Sequence, residues 1–141
     1  MIRSILKQIY LTQTMPSIRK AKNSDYGWMA SKSIHYFNTH EPMSKKWLEN
    51  FLKKCKCYVL DDESGYISYV HEPEGMLING WYAEGNGLSL WRFLEKLAEK
   101  NKIKLIGFLH KTEDKFYRFL KKRGYKIEDF NKRMYFVERV N

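Results

Sequence analysis

Gly85-Asn86-Gly87-Leu88-Ser89 lies between an apolar, strand-like run ending at Tyr82 and an amphipathic run beginning at Leu90. A strand that ends in glycines and passes at once into a helix presents the helix's first N–H groups, which lack internal partners. The positive end of the helix dipole lies at the same place. Glycine has no Cβ, so the backbone there can come close to an anion. Together these features are the chemistry of a pyrophosphate cradle.

Charge points the same way. The 141-residue chain carries a net charge of +10, and residues 91–141 hold 15 Lys and Arg against 7 Asp and Glu. Such a field favours a phosphorylated cofactor, a nucleic acid or an acidic surface, although a solvated basic face gives the same numbers. No metal is expected. His35, His40, His71 and His110 show no ligand spacing, and Cys55-x-Cys57 has no second pair downstream. Two cysteines do not make a disulfide scaffold, so a reducing cytoplasm is the expected compartment. No order of Ser, His and Asp suggests a hydrolase.

The elements around the loop follow from periodicity. Ile18–Ala21 reads as a first strand. Ser24 is a candidate cap for a helix reaching about Asn38, and Ser44 for a second helix with Trp47, Leu48, Phe51 and Leu52 as its apolar face. A meander follows: strands at 57–60, 66–70 and 76–82, joined by turns at Asp61–Gly65 and Glu72–Gly75. Gly80 inside the third strand predicts a bulge or a close approach by a ligand.

The period then changes. Leu90, Trp91, Phe93, Leu94, Leu97 and Ala98 make a helix with Arg92, Glu95, Lys96 and Glu99 outward. Ile103–Leu109 is a strand, Thr112 caps a helix carrying Phe116, Phe119 and Leu120, and Gly124 ends it. Two strands, 125–129 and 133–140, close the chain, with Tyr135 and Val137 packing inward at an edge. The expected class is α/β: a mixed, mostly antiparallel sheet flanked by helices, in the order β-α-α-β-β-β-α-β-α-β-β.

One domain is expected over residues 15–141. Residues 1–14 read as an amphipathic leader with Ile2, Ile5, Leu6, Ile9 and Tyr10 on one face, suited to dock on the domain, a partner or a membrane surface. No apolar run approaches the roughly 20 residues of a membrane span.

From Ile18 to Val140 the chain resembles the GNAT superfamily of acyl-CoA-dependent N-acetyltransferases. Ile18-Arg19-Lys20-Ala21-x-x-x-Asp25 looks like that family's first strand and helix start. Gly85-Asn86-Gly87-Leu88-Ser89 looks like its pyrophosphate loop, and Phe119-Leu120-Lys121-Lys122-Arg123-Gly124-Tyr125 like its late Tyr-Glu-Lys-x-Gly-Phe segment. The Arg-Phe-Leu-Lys run before that glycine is also similar to small GNAT-like internal virion proteins of some short-tailed phages.

The resemblance implies direct transfer of an acetyl group from acetyl-CoA to an amine, in a cleft where the third meander strand parts from the next. It assigns the pyrophosphate to Gly85, Asn86, Gly87, Leu88 and Ser89. It assigns the pantetheine and the thioester oxygen to Trp81, Tyr82 and Ala83. Some of Lys115, Arg118, Lys121, Lys122 and Arg123 would meet phosphates of the cofactor.

The sequence departs from the family at two places. Tyr82 stands where the loop usually has Arg or Gln, and Leu120 where a Tyr often protonates the departing thiolate. Tyr117, one helical turn earlier, is the candidate replacement acid. These departures keep a second reading open, a non-catalytic GNAT-fold protein that contacts nucleic acid or a protein partner through its basic face. Lys132-Arg133-Met134-Tyr135-Phe136-Val137 is the segment best suited to nucleic acid. A dimer through exposed aromatics is compatible with either reading.

Overall fold

The computed structural model describes residues 16–38, 43–85 and 87–140. The leader 1–14, His40 and the loop residue Asn86 lie outside the described residues. A short strand β1 (Ile18–Lys20) and a 3-10 turn (Asn23–Asp25) lead into α1 (Tyr26–Asn38) and α2 (Lys45–Lys53). Strands β2 (Lys56–Leu60), β3 (Gly65–Glu72) and β4 (Gly75–Ala83) precede α3 (Gly87–Lys100). The chain ends with β5 (Leu105–His110), α4 (Asp114–Lys122), β6 (Lys126–Asp129) and β7 (Met134–Glu138).

These strands form one sheet in the order β1-β2-β3-β4-β5-β7-β6. Every pairing is antiparallel except that of β4 with β5, which runs parallel at Met76↔Leu105, Leu77↔Ile106 and Ile78↔Gly107. The strand with Tyr135 and Val137 is therefore interior, and the edge is β6. β6 is short and charged, which blunts an exposed edge.

Both faces of the β2–β4 region are buried, and period-two alternation sorts the side chains. On one face Leu60, Ile67, Met76, Leu105 and Val137 pack against Leu90, Leu94 and Ala98 of α3 and Leu120 of α4. On the other, Cys57, Val59 and Tyr66 pack against Met29 and Ala30 of α1 and Leu48 and Leu52 of α2. Each fully buried Leu contributes about 2 kcal/mol by removal from water. Tyr66 is fully buried because its hydroxyl donates to Ser33 Oγ (2.8 Å), which in turn donates to the Met29 carbonyl (2.7 Å).

Four local expectations need correction. Ser24 sits inside the 3-10 turn. Asp25 does the capping instead, its carboxylate accepting the Lys22 N–H at 2.7 Å. Thr112 caps nothing, since the chain enters α4 through Glu113 without a side-chain cap. Trp47 is 53% exposed, because α2 turns Leu48 and Leu52 inward and leaves Trp47 stacked on Phe51 at 5.4 Å. Glu95 points inward, only 2% exposed, against Arg123, Tyr125 and Arg139. Ser44 does cap α2, accepting the Trp47 N–H at 3.0 Å, and Gly124 follows α4 with φ +83°.

Candidate active site

The strands that matter are β4 and β5. They pair only through Ile78↔Gly107, after which each follows another partner. β4 stays on β3 as far as Gly65↔Ala83, while β5 stays on β7 as far as His110↔Met134. The register of β3 on β4 explains the parting: Ser68 faces Gly80 and Tyr69 faces Ile78, so Asn79 is an extra residue in β4. Such a bulge bends and twists the strand that carries it. A Cβ on Gly80 would collide with Ser68 Oγ, so any larger residue there must displace that hydroxyl from its bond to Asn79. Asn79 is anchored as acceptor for Ser68 Oγ (2.8 Å) and donor to Cys55 Sγ (3.3 Å).

The parted strands leave a cleft of about 960 Å³ lined by residues of both strands and of the two helices that follow them. Because β4 and β5 are parallel neighbours, both carboxyl ends open onto it, as at the crevices of α/β sheets. The first turn of α3 closes one end. Gly85 turns the chain at φ +131°, and Gly87 allows the helix to start against β4. A Cβ on Gly87 would sit 2.9 Å from Ala83 Cβ and 3.0 Å from Trp81 Cζ2. Trp81 Nε1 donates to the Gly87 carbonyl at 3.2 Å, fixing the indole beneath the helix start. Trp81 also meets Trp91 (5.4 Å) and Phe116 (4.8 Å), making an aromatic wall on the α3–α4 face.

Of the residues singled out from the sequence, Trp81, Tyr82, Ala83, Gly85, Gly87 and Leu88 all line this cleft. Ser89 lies in the first turn of α3 but does not line it. Tyr82 points its ring to the other face, 6.4 Å from Tyr66, and its hydroxyl donates to Glu84 Oε1 at 2.8 Å. That bond raises the phenol above its ordinary pKa and lowers the Glu84 carboxyl.

Tyr117 is not in the cleft. Phe116 and Phe119 form the side of α4 that faces it, and Tyr117 is rotated away onto Tyr135 (5.1 Å) beneath the Lys121 ammonium. Tyr117, the candidate replacement for Leu120 as thiolate acid, thus lies off the cleft lining: one turn of a helix keeps two side chains close, but the cleft meets the neighbouring stripe. Of the five cations around α4, Lys115 lines the cleft. Arg123 is turned inward to Glu95.

His110, which the sequence presents only as a histidine without metal-ligand spacing, and Glu113 both line the cleft. His110 ends β5 and Glu113 precedes α4, so both sit at the carboxyl end of a strand whose parallel pairing with β4 the sequence does not reveal. Phe108 was likewise read only as part of a strand, yet it is 42% exposed on the cleft wall.

No family model matches the sequence, and a search of curated proteins finds no match either. Solved structures do match. The PaiA N-acetyltransferase of Thermoplasma acidophilum, determined in complex with coenzyme A, superposes with a TM-score of 0.66 at 15% identity, covering 89% of this chain and 98% of that one. The chain has the GNAT fold. An N-acetyltransferase of Staphylococcus aureus Mu50 gives a TM-score of 0.70 at 17% identity, over 89% of this chain and 97% of the other. An aminoglycoside 6'-acetyltransferase of type Ii gives 0.71 at 14%, over 88% and 96%. At these identities the likeness is one of GNAT architecture. Among the described residues, no helix is long and apolar enough to cross a membrane.

Proposed function

We propose that the protein is an acyl-CoA-dependent N-acyltransferase that passes an acetyl group directly from acetyl-CoA to an amine. The observation that carries this reading is the cleft between β4 and β5, closed at one end by the first turn of a 14-residue helix that starts on glycine. The GNAT fold supports it, as does the coenzyme A held by one structural neighbour.

The roles follow from position. The N–H groups of Gly87, Leu88 and Ser89, with the Gly85–Asn86 loop, hold the pyrophosphate, and Lys115 adds a cation at the wall. Past Ile78, the side of β4 turned to β5 has no ladder partner there. The backbone of Trp81–Ala83 can bond the pantetheine amides and donate to the thioester oxygen as it becomes an oxyanion. The amine nitrogen forms its bond to the carbonyl carbon as the carbon–sulfur bond breaks. One amine proton ends on the thiol, so the products are an amide and free CoA. Proton traffic falls to His110 and Glu113, the imidazole and carboxylate on the cleft wall.

Thermal unfolding with acetyl-CoA, with CoA and with a short DNA duplex tests the reading. At a hundred times its dissociation constant a ligand adds about 2.7 kcal/mol to stability. The expected result is a shift with both CoA species and none with DNA. Leu88→Glu sharpens it: Leu88 is 43% exposed in the first turn, so the acid suits the helix dipole but repels phosphate. A folded Leu88→Glu protein without the CoA shift is expected. No shift in the wild type overturns the enzyme, and a shift with DNA alone favours the non-catalytic binding protein.

A further inference from the structure

The cleft is lined from both faces of the sheet, by Trp81, Trp91 and Phe116 on the α3–α4 side and by Tyr82 and Phe108 on the other, and the two sides differ. The α3–α4 face holds the helix start and Lys115, which suit an anionic donor. On the opposite face α1 and α2 cover β2–β4, and among the described residues none of β5, β6 or β7 belongs to the core beneath them. That uncovered face carries Phe108, whose ring lies 4.7 Å from Phe130 and 5.6 Å from Phe136. Phe130 is 60% exposed.

We propose that this face seats the acceptor, and that the acceptor is a monoamine borne on an aromatic or apolar body. The inference rests on the acyl-CoA reading above and names the substrate class for the same site. Three observations carry it. A donor bound on the α3–α4 side leaves the other side as the approach for the amine nitrogen to the thioester carbon. On that side Phe108 lines the cleft, and Phe130 and Phe136 extend its apolar surface beyond the rim; such rings favour flat apolar bodies through stacking.

The third observation is charge. Glu113 is the one carboxylate among the described residues lining the cleft, and Lys115 stands two residues from it. A polyamine or an aminoglycoside carries several ammonium groups and needs several carboxylates. This cleft offers one, inside a chain of net charge +10. Selectivity therefore comes from the apolar body, and one amine must reach the carbonyl uncharged.

The test is acetyl-CoA turnover followed by thiol release, comparing 2-phenylethylamine and tryptamine with spermidine and kanamycin, alongside thermal shift with acetyl-CoA. The aromatic amines are expected to show kcat/KM about tenfold or more above the polycations. Phe130→Ala should raise KM for 2-phenylethylamine several-fold, leaving the acetyl-CoA shift unchanged. Phe108→Ala serves as a second variant should the first not fold.

Spermidine or kanamycin turned over as well as the aromatic amines overturns the proposal. So does a Phe130→Ala protein with unchanged KM and a smaller mass in light scattering, which makes the face a contact between copies of the chain. A wild type stabilised by acetyl-CoA that acetylates neither aromatic amine overturns this inference alone. One that acetyl-CoA does not stabilise overturns the donor reading with it.

Discussion

The Tyr125 hydroxyl donates to Glu95 Oε2 at 2.6 Å and accepts from Trp91 Nε1 at 3.0 Å. Arg123 donates to both oxygens of the same carboxylate, and Arg139 Nη1 donates to the Glu95 carbonyl at 2.9 Å. One buried acid thus ties α3 to the end of α4, to the entry of β6 and to the exit of β7. It also orients Trp91, a wall of the cleft. Burial holds the Tyr125 phenol well above its ordinary pKa, so it stays a neutral donor. Tyr125→Phe should cost about 1–2 kcal/mol, because it strands the Trp91 N–H and leaves Glu95 Oε2 with Arg123 Nε in place of two donors. Glu95→Ala should cost about 3 kcal/mol or more, since Arg123 and the Tyr125 hydroxyl lose their acceptor and Arg139 loses its 3.7 Å ion pair, keeping only its bond to the main-chain carbonyl. Urea unfolding of the three proteins checks the order.

Gly80 is the position where the bulge leaves no room. Gly80→Ala drives a methyl into Ser68 Oγ, which is already committed to Asn79. The strain should cost about 1–3 kcal/mol. It should also narrow the gap between β4 and β5, so acetyl-CoA stabilisation should fall by more than global stability does. Gly80→Ala combined with Ser68→Ala removes the obstructing oxygen and should recover part of both. Thermal unfolding of the two variants with and without acetyl-CoA reads this.

The elements were legible where one signal dominated. Alternation in β2 and β3, the heptad-like run of α3 and the Gly124 stop are local, and the structure places strands and helices there. The bulge was legible too, because a glycine inside a strand has few other causes. What failed was long-range. Glu95 was read outward because a charge in a helix is usually solvated, and its partners lie 28, 30 and 44 residues away. Tyr117 was placed from helical spacing alone, which leaves open which stripe of α4 meets the cleft. His110 and Glu113 become visible only when β5 is known to be the parallel neighbour of β4.

Cys55 and Cys57 are both buried, and burial raises both thiols, Cys57 to about 12. The thiolate is the reactive form, so at pH 8 only about one Cys57 in ten thousand is poised to react. Neither cysteine should label with a disulfide reagent in minutes while the protein is folded, and both should label at once in denaturant. Fast labelling of one thiol in the native protein would show that the α2–β2 junction opens. The same inertness keeps thiol-release measurements free of background.

Asp25 ties the first strand to the first helix. Its carboxylate accepts from Arg19 Nη1 (2.7 Å) and Nη2 (3.0 Å), from the Lys22 N–H (2.7 Å) and from Trp28 Nε1 (2.9 Å). The Arg19 guanidinium is the largest cause holding this carboxyl well below its ordinary 3.8, while burial opposes it. A carboxyl with a depressed folded pKa contributes stability that is full above its unfolded pKa. That stability is lost as the pH falls through the folded value. Wild type should therefore exceed Asp25→Ala by about 3 kcal/mol at pH 7. The difference should hold down to about pH 5 and shrink steadily below about pH 4, as protons are taken up by the unfolded chain first. Arg19→Met should lower stability at pH 7 and flatten the acid limb, because Asp25 would then keep only its neutral donors. Urea unfolding of the three proteins at stepped pH measures it, and a difference that stays constant down to pH 2 would exclude the carboxylate as the cause.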